Sequence, residues 1–158
     1  MINKDVYIIK WLNACCVLIF IMILVGGATR LTQSGLSMVD WKPLMGIIPP
    51  LNDNQWTDSF EQYKKYPEYQ KINQFKNMEL SDYKNIYYWE YAHRMLGRII
   101  GLFFIMPFII FYRKNYIDSN LKKHLLLAIF LVVLQGILGW FMVKSGLVDN
   151  PHVSHYRL

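Results

Sequence analysis

Apolar residues in this chain are gathered into a few long runs. Trp11 to Thr29 contains no charged residue and includes the stretch LIFIMILV. At 1.5 Å per residue it extends about 28 Å, close to the roughly 30 Å hydrocarbon core of a bilayer. A second uncharged run, Ile99 to Tyr112, is too short to cross alone. Its helix is expected to begin upstream, near Tyr87, and to carry charged residues into the membrane, with Pro107 a candidate kink. A third run, Leu125 to Val143, again has spanning length and is followed by the turn signal GLVDNP. The pattern predicts an all-α membrane protein with helices over about 8–29, 87–112 and 123–144, and the start of a fourth near 152–158. A long outer loop over about 30–86 joins the first two. The stop at VSHYRL suggests that residues 1–158 are the N-terminal portion of a longer protein.

Composition sharpens this reading. Of 158 residues, 54% are hydrophobic and 18% charged, which excludes disorder. The mean hydropathy of +0.17 averages apolar runs with a polar stretch of nearly sixty residues. The formal charge of +6 would suit a nucleic-acid binder, but its placement argues for topology. Basic residues are in excess before the first run (Lys4 and Lys10 against Asp5) and between the second and third (Arg113, Lys114, Lys122 and Lys123 against Asp118). The Arg30–Asn85 segment carries as many acidic as basic residues. The positive-inside rule places the N-terminus and the 113–123 loop in the cytoplasm and the long loop outside. The partner is lipid, not nucleic acid. No cleavable signal or transit peptide is evident, so a multi-pass location in the bacterial inner membrane is favoured over the mitochondrial one. Cys15 and Cys16 are adjacent in a helix and cannot pair, which makes them small buried hydrophobes.

The segment YWEYAHRMLGR, Tyr88 to Arg98, holds the candidate chemistry. Charged residues within a span cost on the order of 2.5–3.5 kcal/mol each at its centre, so they are functional candidates. At 100° per residue Glu90, His93, Arg94, Gly97 and Gly101 share one helix face, with Arg98 at its edge. One reading is structural: a Glu90–Arg94 ion pair and a GxxxG-like contact through Gly97 and Gly101. The other is a cofactor wall, in which His93 ligates a metal, the glycines admit a planar ring, and Arg94 or Arg98 pairs with carboxylates. A di-iron site would need a second Glu-x-x-His and more acids within the spans, which this chain lacks. In span three, Ala128, Gln135, Gly139, Met142 and Gly146 form a stripe, with Gln135 expected to make a helix-packing hydrogen bond. His124 reads as interfacial. His152 and His155 precede the fourth span. An axial partner at the depth of His93 would fall beyond Leu158, with His155 roughly 9 Å too high.

Four motifs, GGATRLTQSGLSMVDWKP (Gly26–Pro43), YWEYAHRMLGR, QGILGWFMVKSGL (Gln135–Leu147) and VSHYRL (Val153–Leu158), together resemble heme A synthase of the mitochondrial and alphaproteobacterial type. The resemblance covers almost everything from Trp11 onward. It implies the N-terminal four-helix transmembrane bundle of an eight-helix, two-repeat protein with a heme site in each half. It also implies oxidation of the C8 methyl of heme O to a formyl group, giving heme A for cytochrome c oxidase, with water as oxygen source. Glu90 would be the acid near the substrate and His93 an axial ligand of the iron of heme b or of the substrate heme O. Gly97, Gly101, Arg94 and Arg98 would border the ring, and Arg30 is a candidate propionate partner. The second ligand of this half would follow the YRL of span four. Implied partners are heme O, heme A, heme O synthase and cytochrome oxidase assembly factors. Some bacterial members carry a cysteine pair in the outer loop; this sequence has none there.

Two rival functions use the same residues. A bis-histidine heme b electron carrier needs His93 but has no need for Glu90 beside the ring. A structural or assembly protein needs neither.

Overall fold

The structure, a computed structural model, describes residues 4–39 and 45–148. The expected start of a fourth span, with His152 and His155, lies outside the described residues. Among those described, the chain is helical and has no strand: α1 (Lys4–Leu31), α2 (Asp53–Tyr63), α3 (Leu80–Arg113) and α4 (Ser119–Val148). A single 3-10 turn, Met45–Ile47, precedes α2, and a π turn (Tyr69–Asn73) with a 3-10 turn (Gln74–Lys76) precedes α3. Three of the helices, α1, α3 and α4, are long and apolar enough to cross a membrane.

The ends of these helices are written locally. α1 closes in a Schellman motif: Ser34 N–H donates to Thr29 O at 2.9 Å and Gln33 N–H to Arg30 O at 3.2 Å. Gln33 occupies the left-handed position at φ 54°, where glycine would be less strained. α3 closes the same way around Asn115 (φ 55°), with Tyr116 N–H on Phe111 O at 3.0 Å. The Tyr116 and Phe111 rings stack across that turn, 6.2 Å apart. α3 opens on a capping box, Glu79 with Asp82.

α3 starts at Leu80 rather than near Tyr87, because its first two turns pack in a folded cap formed with α2. The segment expected as a long loop has its own core. Trp56, Phe60 and Tyr63 recur at helical spacing on α2 and pack on Met38, Tyr83 and Tyr87. Tyr63 and Tyr83 are fully buried with their hydroxyls satisfied. Tyr63 donates to Glu68 (3.0 Å) and accepts from Asn73 (2.6 Å); Tyr83 hydrogen-bonds Ser59 (2.7 Å).

A second core closes the opposite end, where Ile8, Trp11 and Cys15 of α1 meet Phe104 of α3 and Leu125 of α4. Pro107 sits inside α3 and has no N–H for the carbonyl four residues back, that of Phe103. The Trp11 indole supplies the missing donor: its Nε1–H reaches Phe103 O at 3.0 Å. α1 and α3 run antiparallel, with Gly26 facing His93 and Gly97 facing Met22.

α4 meets the rest at its two ends. Near its start Leu125 and Ala128 join the inner core. Near its end Gly146 receives Leu36 so closely that a β-carbon there would lie 2.6 Å from Leu36 Cδ2. Between these points α4 is largely exposed, Gln135 included, and the expected packing hydrogen bond from Gln135 is not made among the described residues. Cys15 is buried as expected, but Cys16 is exposed, because it lies on a face of α1 left uncovered by the described residues. His124 is exposed near the start of α4, its Nδ1 2.9 Å from Asn120 O.

Candidate functional site

The expected helix face is real, and the structure divides it into two levels. At the upper level Glu90, only 3% exposed, is enclosed by the chain that leaves α1. Its Oε2 accepts from Ser37 Oγ at 2.7 Å and from the Met38 backbone N–H at 2.8 Å. Its Oε1 is paired with the Arg94 guanidinium one helical turn below. Arg94 also donates to Met38 O at 3.1 Å, so the pair is tied to the same strand of backbone at both ends. The ion pair foreseen as the structural reading is therefore present. It is buried, where losing one partner is far more damaging than at a surface.

At the lower level His93 is half-buried on α3 against α1. A β-carbon on Gly26 would lie 3.3 Å from His93 Nε2, so a larger residue there would push the imidazole back by a few tenths of an ångström. Neither ring nitrogen has a hydrogen bond among the described residues. Glu90 and Arg94 are near enough to act on the ring electrostatically. Gly97 is closed by Met22 Cε at 3.3 Å from its would-be β-carbon, whereas Gly101 and Gly27 face open space. Of the two glycines expected to make a helix contact, one does. Arg98 is half-buried and reaches Gly46 O at 3.4 Å, near the cap rather than the Glu90 pair. Arg30 ends α1 exposed, with no side-chain contact to this group among the described residues.

His93 is the side chain here that could hold a heme iron: among the described residues its imidazole makes no hydrogen bond, it stands beside the bare backbone of Gly26, and Gly27 and Gly101 could leave room for a flat ring. The described residues contain no cluster of three or more metal-binding side chains, so a tetrahedral or di-iron centre is not built from them. A cavity of about 400 Å³ opens on the cap side of Met38 and Tyr87, and its lining does not include His93. Among the described residues the site is a face of α3 packed on α1 and covered by residues 37 and 38.

Sequence reasoning had missed the partners of Glu90. Ser37 and Met38 lie more than fifty residues away in the chain, within the GGATRLTQSGLSMVDWKP motif, and only their neutral chemistry was visible. It had also missed Glu68, a carboxyl 5% exposed under the cap. Burial pushes its pKa up to about 8, helped by the nearby charge of Glu90 and opposed by the Tyr63 hydrogen bond and Lys76. Burial likewise carries the Tyr63 hydroxyl above its ordinary range.

Comparison with known proteins agrees with the motifs. The family model described as cytochrome oxidase assembly protein matches residues 9–158. Heme A synthase of Flavobacterium johnsoniae is 54% identical over 156 residues, covering 99% of this chain and 45% of that protein. Heme A synthase of Nitrosospira multiformis is 54% identical over 148 residues, covering 94% of this chain and 41% of its own length. Heme A synthase of Rickettsia bellii is 48% identical over 149 residues. The chain spans less than half the length of the curated relatives it matches. No solved structure matches it.

Proposed function

Because the chain belongs to the COX15-CtaA family of cytochrome oxidase assembly proteins, we propose that it forms the N-terminal, heme-binding half of a heme A synthase. The half is a four-helix bundle completed by a span beginning near residue 152, and a similar second half follows it. It lies in the bacterial inner membrane with its N-terminus in the cytoplasm, an orientation supported by the basic residues at the two inner segments. The reaction converts the C8 methyl of heme O to a formyl group. Balanced with water as the oxygen source, that change releases four electrons and four protons from the methyl carbon and water, so it would require an external electron acceptor; a gem-diol losing water would give the aldehyde.

The observation that carries this reading is the pairing of a buried, fully held carboxylate with an imidazole one turn away that has no hydrogen bond among the described residues. His93 is the side chain suited to hold heme iron, and a heme bound there, heme b or the substrate, supplies the redox chemistry. Gly26 leaves the imidazole room against α1. Gly101 leaves room beside the ring, and Arg98 is the guanidinium best placed for its carboxylates, with Arg30 a second at the outer end of α1. Arg94 serves chiefly to hold Glu90. With three hydrogen bonds on its oxygens, Glu90 is held in one direction, suited to stabilise positive charge that develops on the methyl carbon. Heme O synthase and cytochrome oxidase assembly factors are the expected neighbours in the membrane.

Replacing Glu90 with Gln in the complete protein tests the assignment. The variant is expected to retain heme, with an unchanged absorption spectrum, and to yield no formyl heme. Wild-type yield of formyl heme from the variant would remove Glu90 from the chemistry.

A further inference from the structure

We infer that the Ser34–Met38 turn sets the direction of the Glu90 carboxylate, and that Ser37 is its positioning residue. The inference rests on the role proposed for Glu90 and assigns a function to the segment that joins α1 to the cap.

The turn is buried throughout its working part: Ser34 and Ser37 are inaccessible, Met38 is 4% and Leu36 8% exposed. It is tied to each of the three long helices. Ser34 N–H caps α1 through Thr29 O at 2.9 Å. Tyr83 of α3 donates to Ser37 O at 3.3 Å, and Arg94 of α3 to Met38 O at 3.1 Å. Leu36 is seated on Gly146 of α4. A segment held at four places along five residues has little freedom, so the two donors it presents to Glu90 Oε2 are fixed in direction.

A carboxylate on a helix retains rotation about its terminal bonds unless donors stop it. The Arg94 contact alone would leave Oε2 free to swing, because it engages only Oε1. Ser37 Oγ and Met38 N–H lie on that second oxygen. Ser37 carries one hydroxyl proton and has three acceptors in reach: Glu90 Oε2 at 2.7 Å, Ser34 O at 3.1 Å and Ile86 O at 3.3 Å. The shortest contact is also the charged one, so the proton goes to Glu90. Ser37 is inaccessible and touches no space open to a ligand. It acts through Glu90, not on the substrate.

The test uses the complete protein and two readouts. The first is the antisymmetric carboxylate stretch of Glu90, identified in the infrared as the band lost in Glu90→Gln. The second is turnover of heme O to formyl heme, with kcat and KM separated. Ser37→Ala is expected to keep its heme, shift the Glu90 band, and lower kcat by about tenfold to a hundredfold, with KM for heme O unchanged. Ser37→Cys keeps the volume with a weaker donor and should fall between the two; it carries the comparison if Ser37→Ala fails to fold. An unmoved Glu90 band in both variants overturns the inference, as does a shifted band with undiminished kcat. A wild-type protein that makes no formyl heme refutes the proposed reaction instead, and the band then decides the hydrogen bond by itself.

Discussion

The indole of Trp11 and the ring of Pro107 are expected to be energetically coupled across α1 and α3. Pro107 leaves the Phe103 carbonyl without its intrahelical donor, and Trp11 Nε1–H fills the vacancy at 3.0 Å. Trp11 is 6% exposed, in a stretch where no water can replace it. Trp11→Phe keeps an aromatic ring near Phe104 and Phe111, which lie 5.2 and 5.5 Å from the indole centroid, and removes the donor. The orphaned carbonyl should cost about 1–2 kcal/mol, within the range of about 1–3 for an unsatisfied buried polar group. In a Pro107→Ala background the new backbone N–H of residue 107 binds Phe103 O, and the indole donor becomes redundant. The same Trp11→Phe change there should cost only its lost packing. The assay is a double-mutant cycle on the purified protein in mild detergent, with unfolding followed by helical circular dichroism. A coupling near 1 kcal/mol is predicted, in line with the stronger interhelical hydrogen bonds in membranes. Equal costs in the two backgrounds, within about 0.3 kcal/mol, would show that the indole does not serve the proline's carbonyl.

Other perturbations test the site and the cap. Burial raises the folded-state pKa of Glu68 from 4.5 to about 8, so the folded cap holds this proton more tightly than the unfolded chain. Cap stability should therefore fall as pH rises from about 4.5 to about 8, and Glu68→Gln should flatten that slope in amide hydrogen exchange of α2; an unaltered slope would place its origin elsewhere. Arg94→Gln strands the 3% exposed Glu90 carboxylate and should destabilise the protein by about 3–5 kcal/mol, with much of the loss recovered in Glu90→Gln/Arg94→Gln. No recovery in thermal unfolding would mean that the pair is not coupled. Gly146→Ala drives a β-carbon into Leu36 and should cost about 1–3 kcal/mol, relieved by Leu36→Ala; an additive double variant would contradict the contact.

The spans were legible in the sequence because hydrocarbon imposes one simple requirement, a long apolar run: α1 and α4 each contain an uncharged one, and the shorter run of α3 pointed upstream to the charged turns that complete it. The face carrying Glu90, His93, Arg94 and Gly97 was legible for a similar reason, since helical periodicity needs no knowledge of neighbours. What lay hidden depends on pairs distant in the chain. Ser37 and Met38 meet Glu90 only after α1 and α3 align, and Trp11 meets the Pro107 defect only at the antiparallel register that puts Gly26 against His93. The cap was half legible. Trp56, Phe60 and Tyr63 carry the spacing of a buried helix face, but they sit in a stretch whose charges average its hydropathy away. The start of α3 at Leu80 follows from the same cap, because Tyr83 and Tyr87 are covered by protein rather than lipid. Gln135 shows the reverse failure: its position in mid-span promised a partner, and α4 meets the described residues only near its ends.

The proposal that this chain is half of an enzyme making a formyl heme is tested by expressing the complete gene in cells that supply heme O, extracting the hemes, and identifying them by chromatography and mass. Heme A is predicted, appearing with the intact protein and absent with Glu90→Gln. Heme O and heme b alone, recovered from a purified and fully folded protein, would contradict the synthase reading and leave an electron carrier built on the same histidine.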